Sequence, residues 1–392
     1  MAYSAFPSAP KSVPAAPFDA LAYNGMQTNG SMVVDQLRAG ALTACANNSA
    51  TYITDTWAVW TQGTHRVSAQ QVTDAPSGYS HSLKVTVTTA NASLGSTDLA
   101  EIYMGMEGYR TERLAFGTAP AKSVSIGFWF KAYQTGTFSG CYQNYANDRT
   151  YVFSFTYNTS ATWQYITLTI PGDTSGTWVG GSNAGAAYLV ICMASGSTYL
   201  TTPGSWQGAN YDGATGTTNG VSSTSNYMQV TGVVILPGIE LPSSDRAPFI
   251  ARPFSQELYL CQRYLSSAYP YGTAPADDTQ GPFYPTIAWD TPTSGNQTAS
   301  IASIRFPVQM RDVPTISFYS SNESVYGGGT PTPGQWQWLG QPGGVAYLNA
   351  NSTTSVDVTK VEFAAQIDIG AVGATFGMAL FATGGWMATA EL

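Results

Sequence analysis

Charge is what this sequence has least of. Only 10% of its 392 residues are Asp, Glu, Lys or Arg, against about 25% in ordinary soluble domains. The 15 basic residues form no run and 23 acidic ones outnumber them, giving a net charge of -8, so a nucleic-acid footprint is excluded. Histidine is nearly absent. His65 and His81 stand in no metal-binding or triad-like spacing, and no GxSxG, HExxH or phosphate-loop pattern occurs. Cys45, Cys141, Cys192 and Cys261 lie far apart with no CxxC, which argues against a zinc site and a disulfide framework and for buried, reduced thiols. No metal or other cofactor is expected. The longest apolar stretch, around 376–388, is short and broken by Gly384 and Gly385, and no basic head precedes an apolar core at the N-terminus. Neither membrane insertion nor a signal peptide is therefore expected.

What the chain has in excess is turn formers and aromatics: 40 Gly, 22 Pro, 24 Tyr and 10 Trp. That composition favours extended, turn-rich structure. From Tyr23 to about Ile250, short alternating runs are bounded by Gly, Asn, Asp, Ser and Pro. Leu83, Val85 and Val87 form one apolar face, and Val124, Ile126, Phe128 and Phe130 another. Tyr151 to Tyr157, Ile166 to Ile170 and Met228-Val230-Gly232-Val234 continue the pattern. Many short strands with turn-rich links predict a mainly β chain, with a β-sandwich or jelly roll over 23–250. The long Ser195–Ser225 segment, nearly all Gly, Ser, Thr, Asn and aromatics, reads as a loop.

One segment reads clearly as helix. Across Ala251–Leu265, Pro253 suits a first helical position, Glu257 lies early and Arg263 late, and Phe254, Leu258, Cys261 and Leu265 make an apolar stripe. A lone helix of this length is marginal in water, so the stripe must lie on a sheet of its own chain or pair with copies from other chains. Residues 251–268 are thus a helical connector. Beyond it, 269–392 read as a second, smaller β-sandwich domain that begins with the low-complexity link Pro270–Pro285. There Val356 and Val358 are followed by Val361, Phe363, Ala365, Ile367 and Ile369, so the alternation changes phase at Thr359-Lys360 and predicts a bulge or strand break. Trp336, Trp338 and Tyr347 form an aromatic cluster near loops. At the other end, Met1–Ala22 alternates proline with Ala, Ser and aromatics and cannot form a core alone. It is expected to lie on a surface, that of another chain or of its own domain.

The residues also carry a resemblance. Glu107-Gly108-Tyr109, the run from Leu114 through Val124-Ser-Ile-Gly-Phe-Trp-Phe-Lys-Ala132, and Thr135-Gly-Thr137 resemble the carbohydrate-binding-module-like jelly roll that recurs in bacteriophage tail-fibre and other virion proteins. Asn147 to Tyr151, Thr162 to Trp178 and Arg252-Pro-Phe-Ser-Gln-Glu-Leu-Tyr-Leu-Cys-Gln-Arg-Tyr264 follow in the same order. Arg305 to Pro314 and Trp386 to Leu392 resemble the small C-terminal β domain that often comes next. The resemblance covers most of 23–392. It implies a structural virion component assembled in the host bacterial cytoplasm, a homotrimeric tail fibre or spike that attaches to a host-surface polysaccharide. It also implies that 1–22 bind other virion proteins and that the stripe Phe254, Leu258, Cys261 and Leu265 meets neighbouring subunits. A head fibre or decoration protein and a free secreted polysaccharide-binding lectin are the alternatives. One departure stands out: Val234 and Leu236 occupy positions where relatives tend to carry Gln and Glu, so a polar contact has become apolar.

For chemistry, Glu101, Glu107 and Glu112 are close enough in sequence to be weighed as a glycosidase pair. Glu101 and Glu107 would share one face of a strand beside Arg110 and Arg113, which is ordinary for a solvated or subunit-facing surface, and no catalytic residue is assigned. Sugar binding is the sharper expectation. Trp206, Tyr211, Tyr142 and Tyr145 stand among Gln143, Asn144, Gln207, Asn210 and Asp212, and aromatic planes flanked by amides and carboxylates suit sugar rings. A trimer interface would be rich in the same residues. Trp163 and Trp178, at strand or strand-edge positions, are expected in the core.

Overall fold

The computed structural model describes residues 25–289, 297–322, 330–340, 346–350, 352–370 and 381–392. The arm Met1–Ala22, part of the glycine-rich loops near 327 and 341, and the side chain of Tyr347 lie outside what is described. Two sheets face each other across one core. The first, six-stranded, runs β1 (Thr43–Ala44), β4 (Arg66–Val72), β5 (Ser82–Thr89), β15 (Tyr227–Pro237), β7 (Val124–Ala132) and β10 (Gln164–Ile170). The second, seven-stranded, runs β13 (Trp206–Gln207), β9 (Thr150–Tyr157), β8 (Gly136–Asn144), β11 (Gly185–Ser195), β6 (Leu99–Glu107), β3 (Trp57–Gln62) and β2 (Ser49–Thr54). Neighbouring strands within both are antiparallel. A separate parallel pair, β12 (Leu200–Thr201) and β14 (Gly213–Ala214), lies inside the long loop.

The period-2 pattern does what it predicts along most strands. Leu83, Val85 and Val87, then Val124, Ile126, Phe128 and Phe130, meet Ile102, Met104, Met106, Leu189 and Ile191 of the opposite sheet in one buried cluster. Strand β15 breaks its own phase. Its register shifts between Thr231 and Val234, where Gly232 adopts φ +60 and a Cβ would lie 2.7 Å from Tyr79 and 2.9 Å from Trp129. The bulge turns Val233 and Ile235 into the sandwich, not Val234 as the plain alternation predicts. Val234 and Leu236 point outward instead and are buried beneath Ala247 and Ile250 of the following turn. The apolar departure from the family pattern is therefore covered by the chain itself.

After a single turn, α1 (Gly108–Thr111), and the rest of the sandwich, α2 (Phe254–Cys261) joins the two β units. It is shorter than the stripe implies. Leu265 lies beyond it on the strand Leu265–Ser267, which pairs with Gly385–Thr389, and is 2% exposed. Cys261 is fully buried, Leu258 is half-buried, and the inward face also carries Glu257, which accepts a hydrogen bond from the Asn29 N–H at 2.6 Å. Two residues of the presumed subunit-facing stripe, Cys261 and Leu265, thus face their own chain, because the helix needs that surface to pack at all. Phe254 stays outward, 41% exposed.

The C-terminal strands build a three-stranded sheet, Leu265–Ser267 with Gly385–Thr389 and Thr315–Tyr319, and a second, seven-stranded one. Their core gathers Trp336, Trp338, Phe363 and Trp386. Trp336 and Trp338 are core residues there, with Tyr284 stacked on Trp336 at 5.0 Å and 5°. The phase change at Thr359-Lys360 is a strand break: Ser352–Val356 turns back and pairs antiparallel with Glu362–Gly370.

Arginines hold the units together. Arg263 grips Glu107 with two hydrogen bonds of 2.8 Å. Arg252 donates to the carbonyls of Gly25 and Gln27 at 2.7 and 3.1 Å. Arg311 donates to Ala390, Glu391 and Asn183 carbonyls at 2.6, 3.0 and 3.1 Å. All three lie in the segments that carry the family resemblance.

Candidate functional site: a pocket on the outer face of the seven-stranded sheet

Along β6, Ile102, Met104 and Met106 face the core, so Glu101, Tyr103, Gly105 and Glu107 face outward. Cross-strand pairing extends that face. Trp60 lies opposite Glu101, Val190 opposite Tyr103, and Tyr188 opposite both Gly105 and Gln143. Half of this surface is roofed by the Ser195–Ser225 segment, which is an ordered flap. Its backbone is tied down by Asp212 N–H to Tyr199 O at 3.0 Å, Thr215 N–H to Thr201 O at 2.9 Å and Thr218 N–H to Thr137 O at 2.7 Å. Beneath it Cys141, Val152, Val190 and Ala214 are sealed, with Tyr211 against them.

Where the flap stops, a cavity of about 230 Å³ remains. Rings of Trp60, Tyr103, Tyr188 and Tyr199 line it, together with Gln143 and Asn210 and the two carboxyls of Glu101 and Asp212. The rings form a ladder: Tyr103 meets Tyr188 edge-on at 5.6 Å, and Tyr188 stacks on Tyr145 at 5.1 Å, so the apolar wall continues to the rim. The acidic pair is unusual in having no basic neighbour in the cavity wall. Burial, and then the charge of Asp212, hold Glu101 well above the usual carboxylate range, while burial pushes Asp212 up to about 7. Asp212 is 3% exposed and meets the Cys141 thiol at 3.9 Å. Glu101 Oε2 and Asn210 Oδ1 are sealed from solvent and have no partner within the protein.

The four aromatics that the sequence singles out scatter. Tyr145, 42% exposed, flanks the pocket through Tyr188. Tyr211 supports the pocket wall from behind, half-buried on Cys141 and Val190. Trp206 forms the edge strand β13, donates its indole N–H to Pro171 O at 2.8 Å and packs on Phe116 and Trp178. Tyr142 is fully buried between Phe116 and Trp178, so it is a core residue and not a surface contact. Of the polar groups read as their flanks, Gln143, Asn210 and Asp212 do line the pocket, while Asn144 and Gln207 do not. Trp178 packs on the sandwich core as expected, whereas Trp163 is half-buried at the surface with Asp74 and Lys131. Trp60, Tyr103, Tyr188 and Tyr199 were not anticipated. Three of them stand at outward positions of strands whose inward positions are mostly apolar, and a large ring on the polar side of an alternating run is the signal that could have found them.

Of the weighed carboxylates, Glu101 and Glu107 do share a face, but only Glu101 enters the pocket. Among the described residues, no three His, Cys, Asp or Glu side chains are placed to share a metal ion, and no helix is long and apolar enough to cross a membrane.

No family model matches the chain, and no curated protein sequence matches it. Solved structures do. The enzymatically active domain of bacteriophage CBA120 tailspike protein 4 is similar at 12% identity over 55% of this chain, with a TM-score of 0.29, although the match spans only 22% of the tailspike chain. A family 11 carbohydrate-binding module from Clostridium thermocellum, solved with a β-1,3-1,4-mixed-linked tetrasaccharide, matches at 11% identity over 51% of this chain and 98% of its own, with a TM-score of 0.25. A protein from Bacteroides thetaiotaomicron for which sugar binding has been suggested matches at 9% identity over 54% and 99% of the two chains, with a TM-score of 0.29.

Proposed function

We propose that the chain is a glycan-binding virion protein, a trimeric tail fibre or spike that attaches to polysaccharide on a bacterial surface and binds it without cleaving it. The observation that carries the binding is the pocket: a ladder of rings for the apolar faces of sugars, with Gln143, Asn210, Glu101 and Asp212 between them for the hydroxyls. Two of its acceptor oxygens lack a protein partner, and a sugar O–H supplies what each needs. The virion role is supported by the resemblance of 23–392 to phage tail-fibre modules. Trimerisation is supported by exposed apolar side chains on α2 and in the segment before it, Phe254 and Tyr259 at 41% and 59% and Phe249 and Ile239 at 75% and 74%. Those four residues, with Leu258, replace the original stripe as the candidate interface.

Affinity measurements with purified host lipopolysaccharide and capsular polysaccharide test the binding, with Trp60→Ala as the control. The reading requires that wild type bind at least one of them, that Trp60→Ala bind it more weakly, and that no new reducing ends appear. Undiminished binding by a folded Trp60→Ala protein removes the pocket from consideration. Light scattering tests the trimer, and a monomer mass at micromolar concentration rejects it.

A further inference from the structure

Building on the glycan-binding reading, we propose that the pocket selects a sugar residue carrying a free amine, whose ammonium sits between Glu101 and Asp212 among the pocket rings. The charge pattern carries this. The cavity wall holds two carboxyls and no Lys, Arg or His. Three other buried acids are given a cation: Glu107 has Arg263 at 2.8 Å, Asp173 has Arg149 at 2.6 Å and Glu257 has Arg252 at 3.4 Å, while buried Asp55 is held by two hydrogen bonds from Gln36. At the pocket Asp212 has only a thiol, and Glu101 Oε2 has nothing from the protein.

A neutral sugar would satisfy the unpaired oxygens of Glu101 and Asn210 but leave the acids without a counter-charge. An ammonium brings three N–H donors and the missing positive charge together. The rings add to it, since aromatic faces attract cations, and the same chain already seats Lys84 Nζ over the Tyr227 ring at 4.5 Å. A uronate, a sialic acid or a phosphorylated sugar would bring a negative charge to a pair that has no cation in the wall to offset it, and would be disfavoured.

The groups facing the pair are the thiols of Cys141 on β8 and Cys192 on β11 and the phenol of Tyr103 on β6. Burial keeps all three neutral. The acids themselves are held high, Asp212 at about 7, so without ligand they retain a proton at neutral pH. An ammonium takes the place of that proton. Binding of the amine form therefore releases a proton to the buffer, and its affinity rises with pH through the range where Asp212 ionises, until the amine itself loses its charge.

Titration calorimetry on the full chain at pH 7, in two buffers of different ionisation enthalpy, decides it with three probes: a glucosamine tetramer, its fully N-acetylated counterpart and a galacturonate tetramer. The glucosamine tetramer is expected to bind about tenfold or more tighter than the N-acetylated one, the scale of one close charge pair, with proton release seen only for the amine. Glu101→Gln should bring the affinity for the amine form down to that for the N-acetylated one and abolish the proton release. If Glu101→Gln does not fold, Asp212→Asn and the proton release of the wild type give the same reading. Equal affinity for the amine and N-acetyl forms, without proton release, overturns the selectivity and leaves glycan binding standing. Failure of all three tetramers and of the host polysaccharides overturns the glycan-binding reading itself.

Discussion

Glu101 and Glu107 stand on the same strand and the same face, yet their surroundings are opposite. Glu107 is gripped by Nε and Nη2 of Arg263, which ties the sandwich to the segment after α2. Glu101 has Asp212 for a neighbour, an oxygen without a partner and an open cavity in front of it. At Glu107 the junction satisfies its buried charge internally, as a structural contact must. The pocket leaves its polar groups to be satisfied from outside, which is what a binding surface requires. Glu107, Arg252, Arg263 and Arg311, which stand at the junction, all lie in segments that carry the resemblance. Part of that sequence pattern therefore marks how this chain is braced.

Removing the brace is the largest perturbation. Arg263→Ala leaves Glu107, whose side chain is 3% exposed, without its cation, and unfolding in denaturant should show a loss of about 2–3 kcal/mol. Adding Glu107→Gln should recover part of it. Glycan affinity of the folded fraction should stay at the wild-type value, and a matching loss of affinity would erase the distinction between the two regions. The converse change is Trp60→Ala. It is expected to weaken glycan binding by about 1–2 kcal/mol, with a stability change under about 1 kcal/mol, as calorimetry and thermal melts on one preparation would show.

Much of the sandwich was legible because alternating runs bury one face and leave no choice of register. It failed where local geometry shifts the phase. Gly232 inserts a bulge that no count of apolar residues signals, and it swaps Val234 for Val233 in the core. Tyr142 was misread for a different reason. Strand β8 runs on to Asn144, so Tyr142 keeps the parity of Phe138 and points inward, but the Asn and Gln around it look like a loop. The α2 stripe buries only its later members, Leu258 in part and Cys261 fully, and what the spacing could not supply was the helix end at Cys261, which passes Leu265 to a strand. The pocket itself depends on the fold of the Ser195–Ser225 flap over a sheet, a long-range arrangement with no local code. Only its amides and Asp212 were visible, as polar company for aromatics that mostly turned out to pack inward.

The junction also holds acids held high, and these separate the regions by pH. Burial, and then the charge of Asp55, push Glu391 up to about 8, while burial pushes Asp55 up to about 7. Both are protonated in the folded chain at pH values where the unfolded chain has ionised them, so unfolding releases protons. Their contribution is complete below the ordinary carboxylate range and is lost as pH rises toward about 8. The melting temperature should fall from pH 5 to pH 8, and Glu391→Gln should flatten the upper part of that fall. A slope unchanged both in Glu391→Gln and in Asp55→Asn would assign the effect to the pocket pair, whose Asp212 is pushed up to about 7. Glu101→Gln would then be the variant that flattens it.

The smallest effect is expected at Tyr142, where the two regions can be told apart by one oxygen. Its ring is fully buried against Phe116 and Trp178, and its hydroxyl is buried without a hydrogen-bond partner. A ligand contact would lose affinity when that hydroxyl is removed. A core residue with an unpaired hydroxyl should lose nothing, because deleting it also deletes the cost of its desolvation. Tyr142→Phe is thus expected to leave glycan affinity unchanged and to raise stability by up to about 1 kcal/mol, read as a small rise in the denaturation midpoint at constant slope. A drop in affinity with stability unchanged would mean that the hydroxyl reaches the ligand. The boundary between pocket and core would then have to be moved inward by one residue along β8.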